Sequence, residues 1–299
     1  MSRFFKIIGR VLGVLLVVVI GAVAAVYFAS NSKLKKTFTV TARPVVIPTD
    51  AAAIAHGKHM AETRGCNECH GADYGGAKVI DDPAMGKLFG PNLTKGKGGS
   101  AATFRDEDWV RAIRHGVAKD GRGLLLMPSE EYSHFSDEDL GSVIAYLKTV
   151  PPVARDSVPL ALGPVARALL AAGKLKLAAA QIDHANLRPQ FVTPAVSLEY
   201  GRYLSVGCTG CHGTNFSGGK IDIGPPNWPH AANLTPHATG RVAKWTEADF
   251  LAAMRTGKRP DGAAIDPVMP RSFGNMTDVE LKALWTHFKT LPATPTGAR

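Results

Sequence analysis

The strongest constraint on this chain is a short segment that occurs twice. Residues 64–71 read RGCNECHG and residues 206–213 read VGCTGCHG, so both copies contain Cys-x-x-Cys-His. Two thiols at this spacing can bond the two vinyl groups of one haem, which holds the adjacent His near the iron. We therefore predict two covalently bound haems. The predicted attachment residues are Cys66, Cys69 and His70 in the first copy and Cys208, Cys211 and His212 in the second.

Two other chemistries use paired cysteines. A Cys-x-x-Cys pair can supply half of a structural zinc site or form a redox-active dithiol. Zinc would need two further ligands at matched spacing, and a dithiol would not need a His in both copies. The 4 cysteines of the 299-residue chain all lie in the two motifs, so we expect no disulfide.

Further residues recur at nearly the same offset, which indicates two related domains. His70 and His212 are 142 positions apart, as are Met127 and Met269, and each of these methionines precedes a proline. The tripeptide Asn-Leu-Thr at residues 92–94 returns at residues 233–235. The other methionines have no such counterpart. Because Met pairs with His on haem iron in some sites, we predict Met127 and Met269 as the second axial ligands.

Histidine is the alternative to methionine at this position. His115 and His134 are the candidates in the first copy, and His237 is the candidate in the second. The residue aligned with His115 is Thr256, and neither of the other two has a matching histidine. The matched methionines are therefore the preferred prediction.

The remaining matched blocks predict helices. Segments 106–115 and 247–256 are amphipathic, with Trp109 and Phe250 on their apolar faces. Ser136 and Thr277 are good N-caps for a second pair of helices that end near Pro151 and Pro292. Between these helices the chain is rich in Gly and Pro, and we predict no strand. The expected fold is mostly α.

The first residues predict a membrane anchor. The segment from Val11 to Phe28 has no charged residue and just reaches the length of a membrane span. A signal peptide cleaved after Ala24 is the alternative. Positive charges do not decide the orientation, because three precede the segment and three follow it: Arg3, Lys6 and Arg10, then Lys33, Lys35 and Lys36.

A basic connector separates the two copies. Pro164 is expected to open a helix that continues to Ile182. Charged residues within it exclude a second membrane span, so the segment either packs on the domains or touches the membrane surface. The net charge of the whole chain is +10. Since a covalent haem makes nucleic acid an improbable ligand, this charge favours an acidic redox partner.

With these motifs, the chain resembles tandem class I cytochrome c domains, in particular the membrane-attached cytochromes of bacterial periplasmic dehydrogenase chains. The resemblance rests on both Cys-x-x-Cys-His motifs, both Asn-Leu-Thr segments, the DEDW and EADF helices and both Met-Pro sites. It implies two tandem class I cytochrome c domains after one N-terminal transmembrane helix. The predicted segments are a cytoplasmic N-terminus (1–10), an anchor or uncleaved signal (11–30), a linker (31–49), the first domain (50–153), a connector with a helix (154–195) and the second domain (196–299).

The resemblance also implies a partner for each ligating His. In class I cytochromes c its ring N–H donates to the proline carbonyl of a Gly-Pro-Asn-Leu segment. The first copy has this segment with Pro91, whereas the second has Ala232 at the matching position. A backbone carbonyl survives the change from Pro to Ala, so the bond is expected in both copies. The loss of proline stiffness would make the second site more adaptable.

The resemblance implies an electron carrier with two His/Met-ligated haems rather than an enzyme. Because such cytochromes receive haem outside the cytoplasmic membrane, both domains are expected in the periplasm, tethered by a single-pass helix to the inner membrane. Dehydrogenase or oxidase subunits are the expected partners. The alternative is a dihaem peroxidase-like enzyme or a redox or gas sensor, in which one iron keeps an open position.

Overall fold

The computed structural model describes residues 2–186, 188–221 and 227–298, and it is mostly helical. Met1 and Arg299, the outer ends of the predicted first and last segments, lie outside these ranges. The described α-helices are α1 (Ser2–Leu34), α2 (Ala51–Thr63), α3 (Cys66–His70), α4 (Asp106–His115), α5 (Ser129–Tyr132), α6 (Asp137–Thr149), α7 (Pro164–Ala171), α8 (Leu198–Ser205), α9 (Thr209–His212), α10 (Glu247–Thr256) and α11 (Asp278–Thr290). Short 3-10 helices lie at Ser100–Ala102, Ala178–Ala180, Val206–Cys208 and Arg271–Asn275.

Helix α1 is one long apolar helix at the N-terminus. Its segment Arg3–Leu34 has 32 residues, and the most apolar 18-residue window within it has a mean hydropathy of 2.9 and is not buried against the rest of the protein. By length and composition it can cross a membrane. The helix extends four residues beyond the predicted end of the anchor at residue 30.

Each half of the chain has its own core, in which a helix before the attachment motif packs on the last helix of that half. Helix α2 packs on α6 and α8 packs on α11. Gly57 and Gly201 allow the close approach, because a Cβ atom at either would overlap a backbone carbonyl oxygen of the facing helix, on Ser142 and Ala283 respectively. The two helix pairs therefore have the same construction.

The predicted helix bounds and caps agree with the structure. Helices α4 and α10 begin and end at the predicted residues, and Trp109 and Phe250 are buried. Ser136 Oγ accepts a hydrogen bond from Asp139 N at 3.0 Å, which caps α6. Thr277 Oγ1 accepts the corresponding bond from Glu280 N at 3.2 Å, which caps α11.

The expectation that the chain has no strand was wrong. Three short antiparallel strands form one sheet in the order β1 (Ala77–Asp82), β2 (Gly86–Gly90) and β3 (Ala161–Leu162). A hairpin joins the first two, whereas the third comes from the connector. Leu88 is the one fully buried apolar side chain of the described hairpin, and Ile80 and Met85 only partly pack against the same core. The hairpin therefore has no regular apolar alternation in its sequence.

The connector helix is shorter than predicted. Helix α7 starts at Pro164, as expected, but ends at Ala171 rather than near Ile182. Gly173 follows with a φ of 73°, a left-handed conformation that glycine adopts readily at the end of a helix. Leu162 and Leu170 of the connector pack with Leu88 of the first half, so the connector is part of the structure rather than a free linker.

The connector also contacts the end of α1. Lys33 Nζ donates to the carbonyl oxygens of Leu170 and Ala171, each at 2.9 Å, and so satisfies the C-terminal end of α7. The Arg167 guanidinium lies 4.6 Å from the ring centroid of Tyr27. All these residues of α1 follow Ala24, so the contacts would survive cleavage at that position.

Candidate prosthetic-group sites

The first attachment motif forms the short helix α3. Gly65 precedes it with a φ of 72° and Gly71 follows it with a φ of 83°, so the chain turns sharply at both ends. Cys66 and Cys69 are three residues apart on this turn and therefore lie on the same side of it. The geometry presents both thiols together, as attachment to one macrocycle requires.

The second motif has the same form. Its Cys208 ends a 3-10 turn, and Cys211 and His212 lie on α9 (Thr209–His212). Gly213 follows with a φ of 79°, close to the value at the matching glycine of the first motif. The two segments thus share the conformation of the glycine that follows the histidine, whereas Gly207, which lies in the 3-10 turn, lacks the positive φ of Gly65.

Each motif histidine is oriented by the expected backbone carbonyl. His70 Nδ1 lies 2.8 Å from Pro91 O, and His212 Nδ1 lies 2.7 Å from Ala232 O. Since a carbonyl only accepts, Nδ1 carries the proton and Nε2 keeps its lone pair for a metal. Burial lowers the pKa of His70, which favours this neutral form. The change from Pro to Ala in the second copy keeps the bond.

The cysteine environments favour neutral thiols. Burial raises the pKa of Cys66 and that of Cys208 to about 12 each. A zinc site would require thiolates and additional ligands. Among residues 2–186, 188–221 and 227–298, no group of three or more His, Cys, Asp and Glu side chains is placed to hold a metal ion. The described residues therefore supply no further ligands for a structural zinc site.

The second motif opens on a large apolar cavity. About 1460 Å³ of empty space, part of it open to solvent, lies beside this motif, and Cys208, Cys211, His212 and Met269 all line it. Its apolar walls are formed by Val242, Trp245, Phe250, Leu284, Trp285 and Phe288, among others. The structure therefore brings both predicted axial ligands of the second copy to one cavity.

The cavity also has a cationic lining that suits an acidic substituent. Arg241 and Arg259 both line it. The buried Nε atom of Arg259 makes no hydrogen bond with the described residues, although Asp261 Oδ1 lies 3.5 Å from it as an ion-pair partner. A carboxylate on a bound molecule could accept the hydrogen bond that Asp261 does not. Haem carries two propionates on an otherwise apolar ring, so these residues fit the predicted group.

In the first half, Met127 and Cys66 pack against the same hydrophobic core. Both are partly buried there, and the core includes Trp109, Tyr132 and Leu140. Met127 lies just before α5, on the chain segment that follows the α4 helix. Its location beside the first attachment segment is compatible with its predicted role as an axial ligand.

The competing histidines have other environments. His115 Nδ1 lies 3.1 Å from His184 Nδ1, and burial lowers the pKa of His115 to about 4. His134 lies in a small cleft with Arg64, and the half-buried His237 contacts Thr239 Oγ1 at 2.9 Å. None of these three histidines lines the cavity at the second motif, although His230 does. His230 has no matching histidine in the first copy.

Asn92 and Asn233 have a role that sequence analysis missed. Asn233 Nδ2 donates to Thr294 O at 2.7 Å, and its Oδ1 accepts from Thr235 N at 2.8 Å. Asn92 makes the corresponding bonds to Val153 O and Thr94 N. These amides join the carbonyl-bearing loop of each motif histidine to the chain after the last helix. The recurrence of Asn-Leu-Thr was the available signal.

We expect Asn233→Ala to destabilise the second half by about 2 to 3 kcal/mol, because it leaves buried backbone groups without partners. It should also broaden the spectroscopic signature of the His212 site, since the neighbouring Ala232 carbonyl loses its support. Urea unfolding followed by tryptophan fluorescence measures the first effect. The exposed Asn275→Ala is the control and should change stability by less than about 0.5 kcal/mol. Equal stability of the two variants would contradict the structural role given to Asn233.

Comparison with known proteins supports this chemistry. Residues 52–147 match the family model described as "Cytochrome C oxidase, cbb3-type, subunit III". The fructose dehydrogenase cytochrome subunit of Gluconobacter japonicus is 28% identical over 274 residues, which cover 82% of this chain and 55% of that protein. The alcohol dehydrogenase (quinone) cytochrome c subunit of Gluconobacter oxydans is 26% identical over 285 residues, which cover 83% of this chain and 56% of that protein.

A third relative has a similar length. The protein named "Diheme cytochrome c-type" from Cereibacter sphaeroides is 25% identical over 297 residues, which cover 90% of this chain and 96% of that protein. By contrast, the chain spans about half the length of the two dehydrogenase subunits. Together the matches confirm the predicted resemblance to cytochrome c domains and to the cytochrome subunits of dehydrogenases. The fold is mostly helical and is preceded by one long apolar helix, and the cytochrome c matches support haem c as the prosthetic group.

Proposed function

We propose that this chain is a membrane-anchored dihaem electron carrier, which passes single electrons between periplasmic or membrane redox partners. The observation that carries the proposal is the duplicated site. Each copy presents two thiols, a histidine oriented by a backbone carbonyl and a methionine at a matched position. In the second copy the thiols, His212 and Met269 line one cavity. The cytochrome names of the relatives support it.

Corresponding residues of the two copies would have the same roles. The two thiols bind the macrocycle covalently, and the motif histidine and the matched methionine hold the iron, which supplies a one-electron couple. The carbonyls of Pro91 and Ala232 keep Nε2 of the histidines unprotonated. With both axial positions filled, no substrate needs to bind the metal. The proposed ligand sets are His70 with Met127 and His212 with Met269.

We infer that helix α1 remains attached as a single-pass anchor in the inner membrane. Its support is the uninterrupted helix from Ser2 to Leu34, which continues ten residues beyond Ala24. The tether would confine the carrier to the membrane plane with both haem sites in the periplasm. That location is where haem is attached to proteins resembling this one.

The proposed partners are subunits of a dehydrogenase or an oxidase. Names of the relatives support the former, because two are cytochrome subunits of fructose and alcohol dehydrogenases. The net charge of +10 supports an acidic docking surface on the partner, since opposite charges speed encounter. The electrostatic contribution should weaken as salt is added.

A potentiometric titration of the purified full-length protein tests the carrier function. We expect two high-potential one-electron waves, with the ferric sulfur-to-iron charge-transfer band of methionine ligation in both sites. Addition of peroxide should leave both spectra unchanged, because neither iron has a free position. A site that lacks the band and reacts with peroxide would instead establish the haem enzyme, and His230 would then be the first residue to vary.

A further inference from the structure

The two halves meet through a reciprocal pair of contacts. His59 Nε2 lies 2.8 Å from Glu280 Oε2, and Tyr203 OH donates to Asp139. His59 and Tyr203 each lie two residues after the glycine at which α2 or α8 touches its own facing helix. Asp139 and Glu280 each occupy the third position of α6 or α11. The interface is therefore built like a two-fold contact between related domains.

The attachment motifs lie at this same interface. Glu68, inside the first motif, accepts a hydrogen bond at 2.6 Å from Ser272 Oγ of the second half. Glu131 of the first half places its Oε1 2.5 Å from the position of a Cβ on Gly210, inside the second motif. Each motif is thus touched by the segment that follows the matched methionine of the other half. Each attachment motif therefore lies at the interface between the two halves.

Arg64 breaks the symmetry of the interface. It is 9% exposed, and its Nη1 donates to Leu204 O of the second half at 3.2 Å. The same atom lies 3.4 Å from the position of a Cβ on Gly207, which directly precedes the second motif. Its Nε has no hydrogen-bond partner, and no carboxylate within the described ranges forms an ion pair with it. A desolvated positive charge therefore lies against the second attachment segment.

The second half has no arginine at the position that matches Arg64. Arg64 and Gly65 precede the first motif, whereas Val206 and Gly207 precede the second. Glu131 lines the same interdomain cleft as Arg64. Burial raises the pKa of Glu131 to about 7, so its carboxyl offsets only part of the guanidinium charge near neutral pH. Arg64 is thus a buried cation that the first half supplies at the second attachment segment, and the carboxylates of Asp139 and Glu280 are near enough to act on it as well.

We propose that Arg64, supplied by the first half, acts electrostatically on the second site and holds the reduction potential of the haem bound there above the value that its own ligands would give. Reduction lowers the charge of the iron by one, so a nearby buried cation favours the reduced state. The electron gained at the second site is the one lost by the first, and no proton or leaving group takes part. This inference rests on the proposed carrier function, and it adds which of the two haems is preferentially reduced.

The test compares Arg64→Gln, Arg64→Lys and Arg122→Gln by potentiometric titration of the full chain. The Met127→Ala and Met269→Ala variants assign each wave to a site. In Arg64→Gln, we expect the equilibrium constant for electron transfer between the sites to change about tenfold in favour of reducing the first site. For one electron, this is a fall of about 59 mV in the reduction potential of the second site. Arg64→Lys should restore the position of that wave. The exposed Arg122→Gln, whose partner is Asp120, should not move either wave.

A folded Arg64→Gln protein with both haems and two unmoved waves would overturn the proposal, as would an equal fall of both waves. If this variant does not retain both haems, Glu131→Gln supplies the second measurement. At pH 8, removal of its negative charge must raise the second wave, and an unmoved wave would show that the cleft has no field on that site. Failure of the carrier function itself would appear separately, as peroxide reactivity of the unsubstituted protein.

Discussion

Replacement of Met269 by Ala should lower the reduction potential of the second haem by on the order of 0.1 V or more, because axial ligands set haem potentials over a range of about 0.8 V. The thioether stabilises the ferrous state, and its loss leaves water or a nearby side chain to bind. The sulfur-to-iron charge-transfer band of that site should disappear. Titration by visible absorption measures both effects, and Met127→Ala should do the same to the first site.

The cavity provides a matched control for this experiment. Met254 lines the same space as Met269 but has no counterpart in the first half. Met254→Ala should leave the band and the potential of the second site nearly unchanged, although it removes a thioether of the same size from the same cavity. An unaltered potential in Met269→Ala, or loss of the band in Met254→Ala, would refute the ligand assignment.

The second large effect is expected from alanine at Gly57 or Gly201. Alanine normally stabilises a helix by about 1 kcal/mol relative to glycine. Here the added methyl group overlaps a backbone carbonyl of the facing helix, which has no rotamer with which to move away. The helices must separate, and we expect each half to lose about 3 kcal/mol or more of stability. Alanine at these positions is therefore expected to destabilise the protein, whereas alanine in place of an ordinary helical glycine stabilises it.

Urea unfolding and the haem content of the expressed protein measure this effect. Gly21→Ala is the control, because a Cβ at that position in α1 meets no atom within 4 Å. It should leave the unfolding of both domains unchanged. If Gly57→Ala and Gly201→Ala unfold at the same urea concentration as the unsubstituted protein, the close helix contact does not exist in solution.

Local signals in the sequence were sufficient for most of the helices. Ser136 and Thr277 cap α6 and α11 as expected, since a cap acts over three residues and needs no distant partner. The attachment motifs were equally local. By contrast, the hairpin of β1 and β2 was missed, because its strands are mostly half-exposed and are joined to β3 from a distant segment. The connector helix was overextended because its apolar pattern continued past Gly173.

The sequence by itself predicted the chemistry of the two sites, because thiols two residues apart, a following histidine and a matched methionine repeat along the chain. It did not reveal that Asn92 and Asn233 join each site to the end of its domain, since those bonds connect residues about sixty positions apart. Only the tertiary structure placed both motifs at the interface between the halves, with Arg64 of the first half against the segment that precedes the second motif. That placement depends on the packing of two domains, which no local pattern records.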